Sequence, residues 1–565
     1  MFHRFLPVQA SQDLLHGSAY ASSPLATALD WPTRPRMIPS TTTLETMGPA
    51  YVRPLSRWAA PAILVSATVI MARILQQGGH GWGDDFALYI NQARGLVEGT
   101  ATQVIVDNRF AVDNSAFRDF TPVAYPWVTS LALMPIIAVF GIDYGLLKLV
   151  PTFALAISIL LIWIIARRRL GQISAVVVTA VVAINPWYLW ATDAVLSDLL
   201  FLAATLGVIA VADRCVSNAS ILGATARCPV ALGVMISLAA HIRREGLGLL
   251  AVLALIQAAA WWRSRPEHLS AVTVLRPWGW FLASFIGFHL LFPAPLRPDL
   301  DIQAPSGPSV IATNLRWYPD ALAELIGLQR IGDAPIAAFG SPTLGAVWLG
   351  AIVVAAIASI FWAALQALRR RPSVDLTLTG ALLGIGSIIA MAPYHYQRYL
   401  MTVAVLIIVL AASCVARAAR FAGRRRPQMR PIASVGAVLV LLAPTFALHL
   451  PEVGRSLRFH LTHSYISTGP EDPLTQQLWS AVIEFTDERD VVMFAQPRTM
   501  NLYTRRLSVV GNDRNVLMRR ADWYAMERDS DYLQVNLSEA EAVSLGLDAV
   551  WSNDRYVLWR VLERR

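Results

Sequence analysis

Stretches of about 20 apolar residues recur along most of this chain, and no other feature narrows its possible folds so far. A run of that length crosses the hydrocarbon of a bilayer as a helix. In lipid, each backbone N–H and C=O has to be satisfied within the segment itself. The runs lie at 59–75, 144–166, 172–190, 198–213, 229–241, 246–262, 278–293, 343–366, 376–393, 399–416 and 432–450, which makes about eleven transmembrane helices. Composition agrees: 15% of the 565 residues are charged, against roughly a quarter in a soluble domain. The chain reads as a polytopic α-helical membrane protein.

The arginines predict its orientation. Arg53 and Arg57 precede the first run, Arg167, Arg168 and Arg169 follow the second, and Arg214 and Arg227 lie between the fourth and fifth. Arg263, Arg265 and Arg276 follow the sixth, Arg369, Arg370 and Arg371 the eighth, and Arg417, Arg420, Arg424, Arg425, Arg426 and Arg430 the tenth. Every second loop is therefore basic. Such loops stay on the inner side, which puts the N-terminus inside and the region after the last span outside. Membrane orientation explains the net charge of +9 better than nucleic acid does. A further run at 125–140 would break the alternation if it crossed. It is expected to lie along the outer interface, anchored by Tyr125 and Trp127. The three cysteines, Cys215, Cys228 and Cys414, form no CxxC pair, so neither a disulfide framework nor a zinc site is expected.

Three regions follow. Residues 1–50, rich in Ser, Thr, Pro and Ala, are expected to be a disordered extension, or the product of a start assigned too early, with Met47 as the alternative. Residues 51–450 hold the spans, with long outer loops at 76–143 and 294–342. Residues 451–565 alternate amphipathic runs (473–489, 514–527, 538–546) with short β-rich ones (491–496, 507–511, 531–536 and two near the end), the pattern of a small soluble α/β domain.

Asp84 and Asp85 stand just past the first run, in Gly81-Trp82-Gly83-Asp84-Asp85-Phe86. Carboxylates so near hydrocarbon are costly and are usually kept for function. An N-cap role accounts for Asp84 but leaves Asp85 unexplained. Helical spacing puts Asp85, Tyr89 and Gln92 on one face and Phe86, Ile90, Ala93 and Val97 on another. The helix N-terminus favours the ionised form of Asp85, which reads as a general base. Lysine occurs once, at Lys148, so an anion site falls to arginines, whose planar fork suits phosphate. Those at outer span ends are Arg94, Arg243, Arg244 and Arg398. Asp198 either caps the fourth span or steadies an arginine or the acceptor; Glu245 pairs with Arg243 or Arg244 at a turn. Tyr394, Tyr396 and Tyr399 form an interfacial belt next to Arg398. Arg498, Arg505 and Arg506 in the tail read as solvated or paired surface groups, with acceptor recognition as the alternative. His80, His241 and His395 fall on the outer side with Asp84, but no two stand at helical ligand spacing; ordinary interfacial histidines and no required cofactor are expected, with a divalent metal held by these residues as the alternative.

These residues carry a resemblance. The stretch Asp85, Tyr89, Ala93, Arg94 resembles the D-x-x-x-Y-x-x-x-A-R of the GT-C glycosyltransferases, the polyprenyl-phosphate-sugar-dependent membrane enzymes, and within them the bacterial mannosyltransferase and aminoarabinose-transferase branch. Tyr125-Pro126 before an apolar run ending Phe140-Gly141 resembles that branch's interfacial helix. Ser197-Asp198-Leu199-Leu200-Phe201, Arg243-Arg244-Glu245-Gly246, Arg398-Tyr399, and Pro497-Arg498 with Tyr503-Thr504-Arg505-Arg506 resemble its later motifs in the same order. One departure stands out: the aminoarabinose enzymes carry Asp-Glu and a Lys-Pro-Pro stretch, where this chain has Asp-Asp-Phe and Pro122-Val123-Ala124-Tyr125-Pro126.

The resemblance implies an integral protein of the bacterial inner membrane that transfers a sugar from a polyprenyl-phosphate donor to an envelope acceptor (a glycolipid, polysaccharide or protein) on the outer face, with inversion at the sugar carbon. It implies Asp85 with Asp84 as catalytic residues, Arg94, Arg243, Arg244 and Arg398 on the donor phosphate, and Tyr89, Asp198 and Tyr399 on substrate. The competing expectations are a lipid-linked-substrate transporter or flippase and a catalytically inactive assembly subunit. Against the transporter, the charged residues gather at outer span ends, and two halves with broken helices are not visible.

Overall fold

The structure is a computed structural model. It describes residues 53–562 except 117–121, 218–220, 223–226, 265–269, 294–295, 298–307, 327–329, 332–333, 336–341, 393–395, 512 and 529. The expectation for residues 1–50, much of the 294–342 loop, Tyr394 and His395 lie outside the described residues.

All eleven apolar runs fall on helices. Among the described residues eight helices are long and apolar enough to cross a bilayer, or nine if the bent pair Gln172–Ala183 and Pro186–Asp193 forms one span. Arg227–Ile242 and Asp375–Met391 are apolar but shorter. The 55° bend has a local cause. Pro186 cannot continue the preceding helix, and Asn185 caps the next by accepting from Trp187 N at 2.9 Å, while its own amide holds Leu325 O at 2.7 Å. The helix Trp127–Phe140 has 14 residues. At 1.5 Å per residue it is roughly 21 Å long, short of a 30 Å hydrocarbon layer. Its first residue corrects an expectation: Trp127 is fully buried, with Nε1 donating to Leu296 O at 2.6 Å.

At the basic ends of the spans, buried charges tie four helices together. Arg169 donates to both oxygens of Asp213 (2.6 and 2.9 Å) and to Asp375 (3.2 Å), Arg417 also grips Asp375, and Thr377 Oγ1 donates to Asp213 at 2.6 Å. Charges this deep are tolerated because each has several partners. Next to them Cys215 and Cys228 form a disulfide, with Cα atoms 5.9 Å apart. This corrects the expectation that no disulfide would form. Their spacing is not a recognisable motif; antiparallel packing of Asp198–Ser217 on Arg227–Ile242 brings them together.

After the last span, one helix runs from Arg430 to Thr462, through the expected domain boundary at 451. The region beyond it holds a five-stranded sheet in the order 507–509, 491–493, 523–527, 556–561, 547–552; the first three strands are parallel and the last two antiparallel. Two local expectations change. The run 514–527 splits into the helix Arg514–Arg520 and the strand Trp523–Glu527, and 531–536 forms no strand. Trp523 to Met526 are all buried, so the strand lies inside the sheet with both faces covered and shows no alternation to read.

This region is locked to the loop that follows the first span. Gly78 N donates to Ser464 O (2.8 Å) and Ile466 N to Gly78 O (3.1 Å). A Cβ on Gly469 would fall 2.2 Å from His80 O, so only glycine allows that approach. Lys148, wholly buried, donates to Gln77 O, Gly79 O and Asp193 Oδ1, each at 2.7 Å. The one lysine is thus a staple that fixes the backbone leading to Asp84 and Asp85.

Candidate functional site

The helix Asp84–Glu98 begins where Gly83, at φ 151°, turns the chain. The face expected to hold Asp85, Tyr89 and Gln92 closes on a single residue, Tyr125. Its hydroxyl donates to Asp85 Oδ1, its ring stacks on Tyr89 with centroids 4.5 Å apart, and its backbone N and O exchange hydrogen bonds with the Gln92 amide at 3.0 and 3.1 Å. Tyr89 in turn donates to Ser197 Oγ at 2.9 Å, joining this helix to the start of Asp198–Ser217.

Asp85 is the meeting point of three regions distant in sequence. Arg398 Nη2 donates to its Oδ2, and Arg498 Nη1, from the C-terminal region, lies 3.8 Å from its Oδ1. Its side chain keeps 28% exposure. Burial pushes the Asp85 carboxyl up, but Arg398, the Tyr125 hydroxyl and Arg498 outweigh it and hold the group at about 2. Asp84 behaves oppositely. It makes no cap for its own helix and instead accepts from Thr499 N at 3.2 Å, in the first turn of the helix Pro497–Thr504. Burial pushes its carboxyl up, against the pull of Arg498 and the Thr499 amide and with the push of Asp85, to about 7. Two neighbouring carboxyls thus have affinities for protons pushed far apart, as in many acid–base sites.

Beyond Arg398 the ionic chain continues. The Arg398 guanidinium lies over Tyr396 and Tyr399 (5.2 and 5.5 Å), and the Tyr399 ring also carries Arg243 at 4.5 Å. Arg243 donates from Nη1 to Asp198 (2.5 Å), from Nη2 to Glu245 Oε1 (2.8 Å) and from Nε to Glu245 Oε2 (3.4 Å). The turn that carries Arg243 and Glu245 is set by a close helix crossing, where a Cβ on Gly384 would fall 1.9 Å from Gly248 O. Aromatic faces and guanidinium planes attract one another, so the stack holds both arginines in fixed planes.

Of the residues singled out from sequence, Asp85, Tyr89, Asp198, Arg243, Arg398 and Tyr399 therefore lie in one connected cluster, and Asp84 at its edge. Arg244, half-buried, lies next to Glu245 in the chain. Arg94 is elsewhere: it donates to Leu502 O (2.9 Å) and Asn91 Oδ1 (2.7 Å), against the helix of the C-terminal region. Two participants escaped sequence reasoning. Tyr125, read as an interfacial anchor, bonds the carboxylate. Arg498, read as a surface group, is 4% exposed and donates to Asn108 Oδ1 and Pro122 O, both at 2.9 Å. Arg506 is also buried, on Thr486 and Ile483, while Arg505 pairs at the surface with Glu98. The one available signal was the recurrence of Pro497-Arg498 in the motif order.

His80 is buried, its Nε2 accepting from Val195 N (3.0 Å) and its Nδ1 facing Gly81 O at 2.7 Å. Burial lowers its pKa to about 3, so the ring is neutral. The His241 ring lies tilted against Phe285 and Phe288, with centroids 4.6 and 4.3 Å away. Among the described residues no three His, Cys, Asp or Glu side chains gather as a metal site would require.

No protein-family model matches the chain. No curated protein matches it either. Among solved structures it is similar to ArnT from Cupriavidus metallidurans bound to undecaprenyl phosphate, with 14% identity and TM-score 0.47, over 89% of this chain and 98% of that one. It is also similar to the same protein in the apo state (13%, TM-score 0.49, 90% and 98%). A third is the Archaeoglobus fulgidus oligosaccharyltransferase in the apo form (14%, TM-score 0.47, 85% and 70%). Likeness at this level carries no chemistry across.

Proposed function

We propose that this membrane protein transfers a sugar from a polyprenyl-phosphate donor to an envelope acceptor at the outer face of the bacterial inner membrane, with Asp85 as general base. One observation carries the proposal: a part-exposed carboxylate, Asp85, is held against an arginine, Arg398, at the mouth of a helix bundle. The donor class rests on the motif resemblance given above. Asp85 takes the proton from an acceptor hydroxyl as its oxygen bonds the anomeric carbon. The bond from that carbon to the phosphate oxygen breaks, and the pair of electrons leaves on polyprenyl phosphate. A phosphate is a stable anion, so the step calls for a base and a cation rather than a strong acid. Arg398 is the cation in direct contact. Arg243, with Asp198, Glu245 and Tyr399, holds Arg398 in plane. Tyr125 and Arg498 hold Asp85, and Asp84 fixes the helix that carries Arg498. Tyr89 joins the base helix to the fourth span. The steps draw only on side chains of this chain.

The test is purified protein with a panel of decaprenyl-phosphate-linked pentoses and hexoses and an envelope glycolipid extract, with released decaprenyl phosphate measured. The expected result is acceptor-dependent release that falls about 10²-fold or more in Asp85→Asn, the usual worth of a general base. Full turnover by a folded Asp85→Asn protein removes the assignment of the base.

A further inference from the structure

We propose that, without donor, the Asp85 carboxylate occupies the place on Arg398 that the donor's phosphate takes, so that donor binding and release of the base are one event. The inference rests on the roles of Asp85 and Arg398 just proposed and concerns how they are coupled.

The two arginines on the Tyr399 ring differ in what they have left to give. Arg243 has all three of its nitrogens engaged, by Asp198 and Glu245, and is 12% exposed. Arg398 has one arm on Asp85, and its buried Nε has no hydrogen-bond partner among the described residues. That N–H keeps its capacity to donate to a further oxygen. Arg398 and Asp85 are also the more open pair, at 21% and 28% exposure, against 12% and 5% for Arg243 and Asp198. A second anion entering this cluster thus meets Arg398 first, and carboxylate and phosphate oxygens fit the same guanidinium edges.

The exchange has a chemical consequence. The charged groups facing Asp85 are Arg398 and Arg498, with Tyr125, Tyr89, Tyr399 and Tyr532 around it and Asp84 beside it in the chain, and Arg398 is the strongest of those that hold it ionised. While Arg398 holds it, Asp85 binds protons too weakly to serve well as a base. When a phosphodiester takes Arg398, that hold weakens and the carboxylate is free to turn to an acceptor hydroxyl. A site with no donor thus leaves acceptor and water alone.

The probe is decaprenyl phosphate, measured by equilibrium binding to the full-length protein in nanodiscs. Asp85→Asn should bind it about tenfold tighter than wild type, the lower end of what close charge pairs contribute to binding. Arg398→Gln should bind it at least tenfold more weakly, and the double variant should lose the gain. Asp85→Ser repeats the measurement should Asp85→Asn not remain monodisperse. Equal or weaker binding by both Asp85 variants, with wild type still binding, overturns the exchange and leaves the transferase reading standing. Absence of binding by wild type and variants alike overturns both.

Discussion

Replacing Arg498 by methionine isolates what the C-terminal region gives to the site. Methionine keeps most of the apolar stem, so packing loss is small and the charged fork is what disappears. The fork makes two bonds of 2.9 Å to Asn108 and Pro122, and lies 3.4 Å from the Tyr125 hydroxyl and 3.8 Å from Asp85. Bonds from a charged donor contribute about 1.5–3 kcal/mol each, and removing one side of a buried ionic contact costs about 3–5 kcal/mol. Asp85 is part-exposed, so solvent screens its share, and the total stays near the lower end, about 3–4 kcal/mol. For a chain of 565 residues this is a drop on the order of 3 °C in a thermal melt of the purified protein. A second signature separates position from mere stability. Arg498 helps hold the Asp85 carboxyl low, so its loss moves that pKa up toward the ordinary carboxylate value, and the acid limb of transfer activity shifts to higher pH. A melt within about 1 °C of wild type, with an unmoved acid limb, would refute the argument.

Two further outcomes follow from other parts of the molecule. Arg169→Met strips Asp213, wholly buried, of its guanidinium, leaving one hydroxyl bond from Thr377. It should cost about 3–5 kcal/mol, and adding Asp213→Leu should return part of it; a double variant as weak as the sum of the single ones would show that the two charges do not act as a pair. Asp84, with its folded pKa raised to about 7, favours folding below the unfolded value and loses that contribution as pH rises through 7. Asp84→Asn keeps an acceptor for Thr499, so its melting temperature should gain on wild type from pH 5 to about 7 and level off above it; a constant difference from pH 5 to 7 counts against the burial of this carboxyl.

The spans were legible because lipid imposes one rule on each segment separately: about 20 apolar residues with satisfied backbone. The helix face of Asp85, Tyr89 and Gln92 was legible for the same local reason, since helical spacing alone sets it. Arg498 and Tyr125 were not. A charged residue in a polar tail and a tyrosine at a predicted interface have ordinary explanations nearby, and their partner lies 413 positions from one and 40 from the other, counting from Asp85. The disulfide and the Trp523–Glu527 strand failed similarly, because each depends on a neighbour from another segment.

By itself the chain's order of residues determined a helical membrane bundle, a mixed α/β end region and an acidic pair at the mouth of the first span, all properties of short windows. Only tertiary structure decided which cation meets which carboxylate. Burial and ion pairing act through space, and they alone set the two adjacent aspartates apart, one held ionised by Arg398 and one pushed toward neutrality at the foot of another helix.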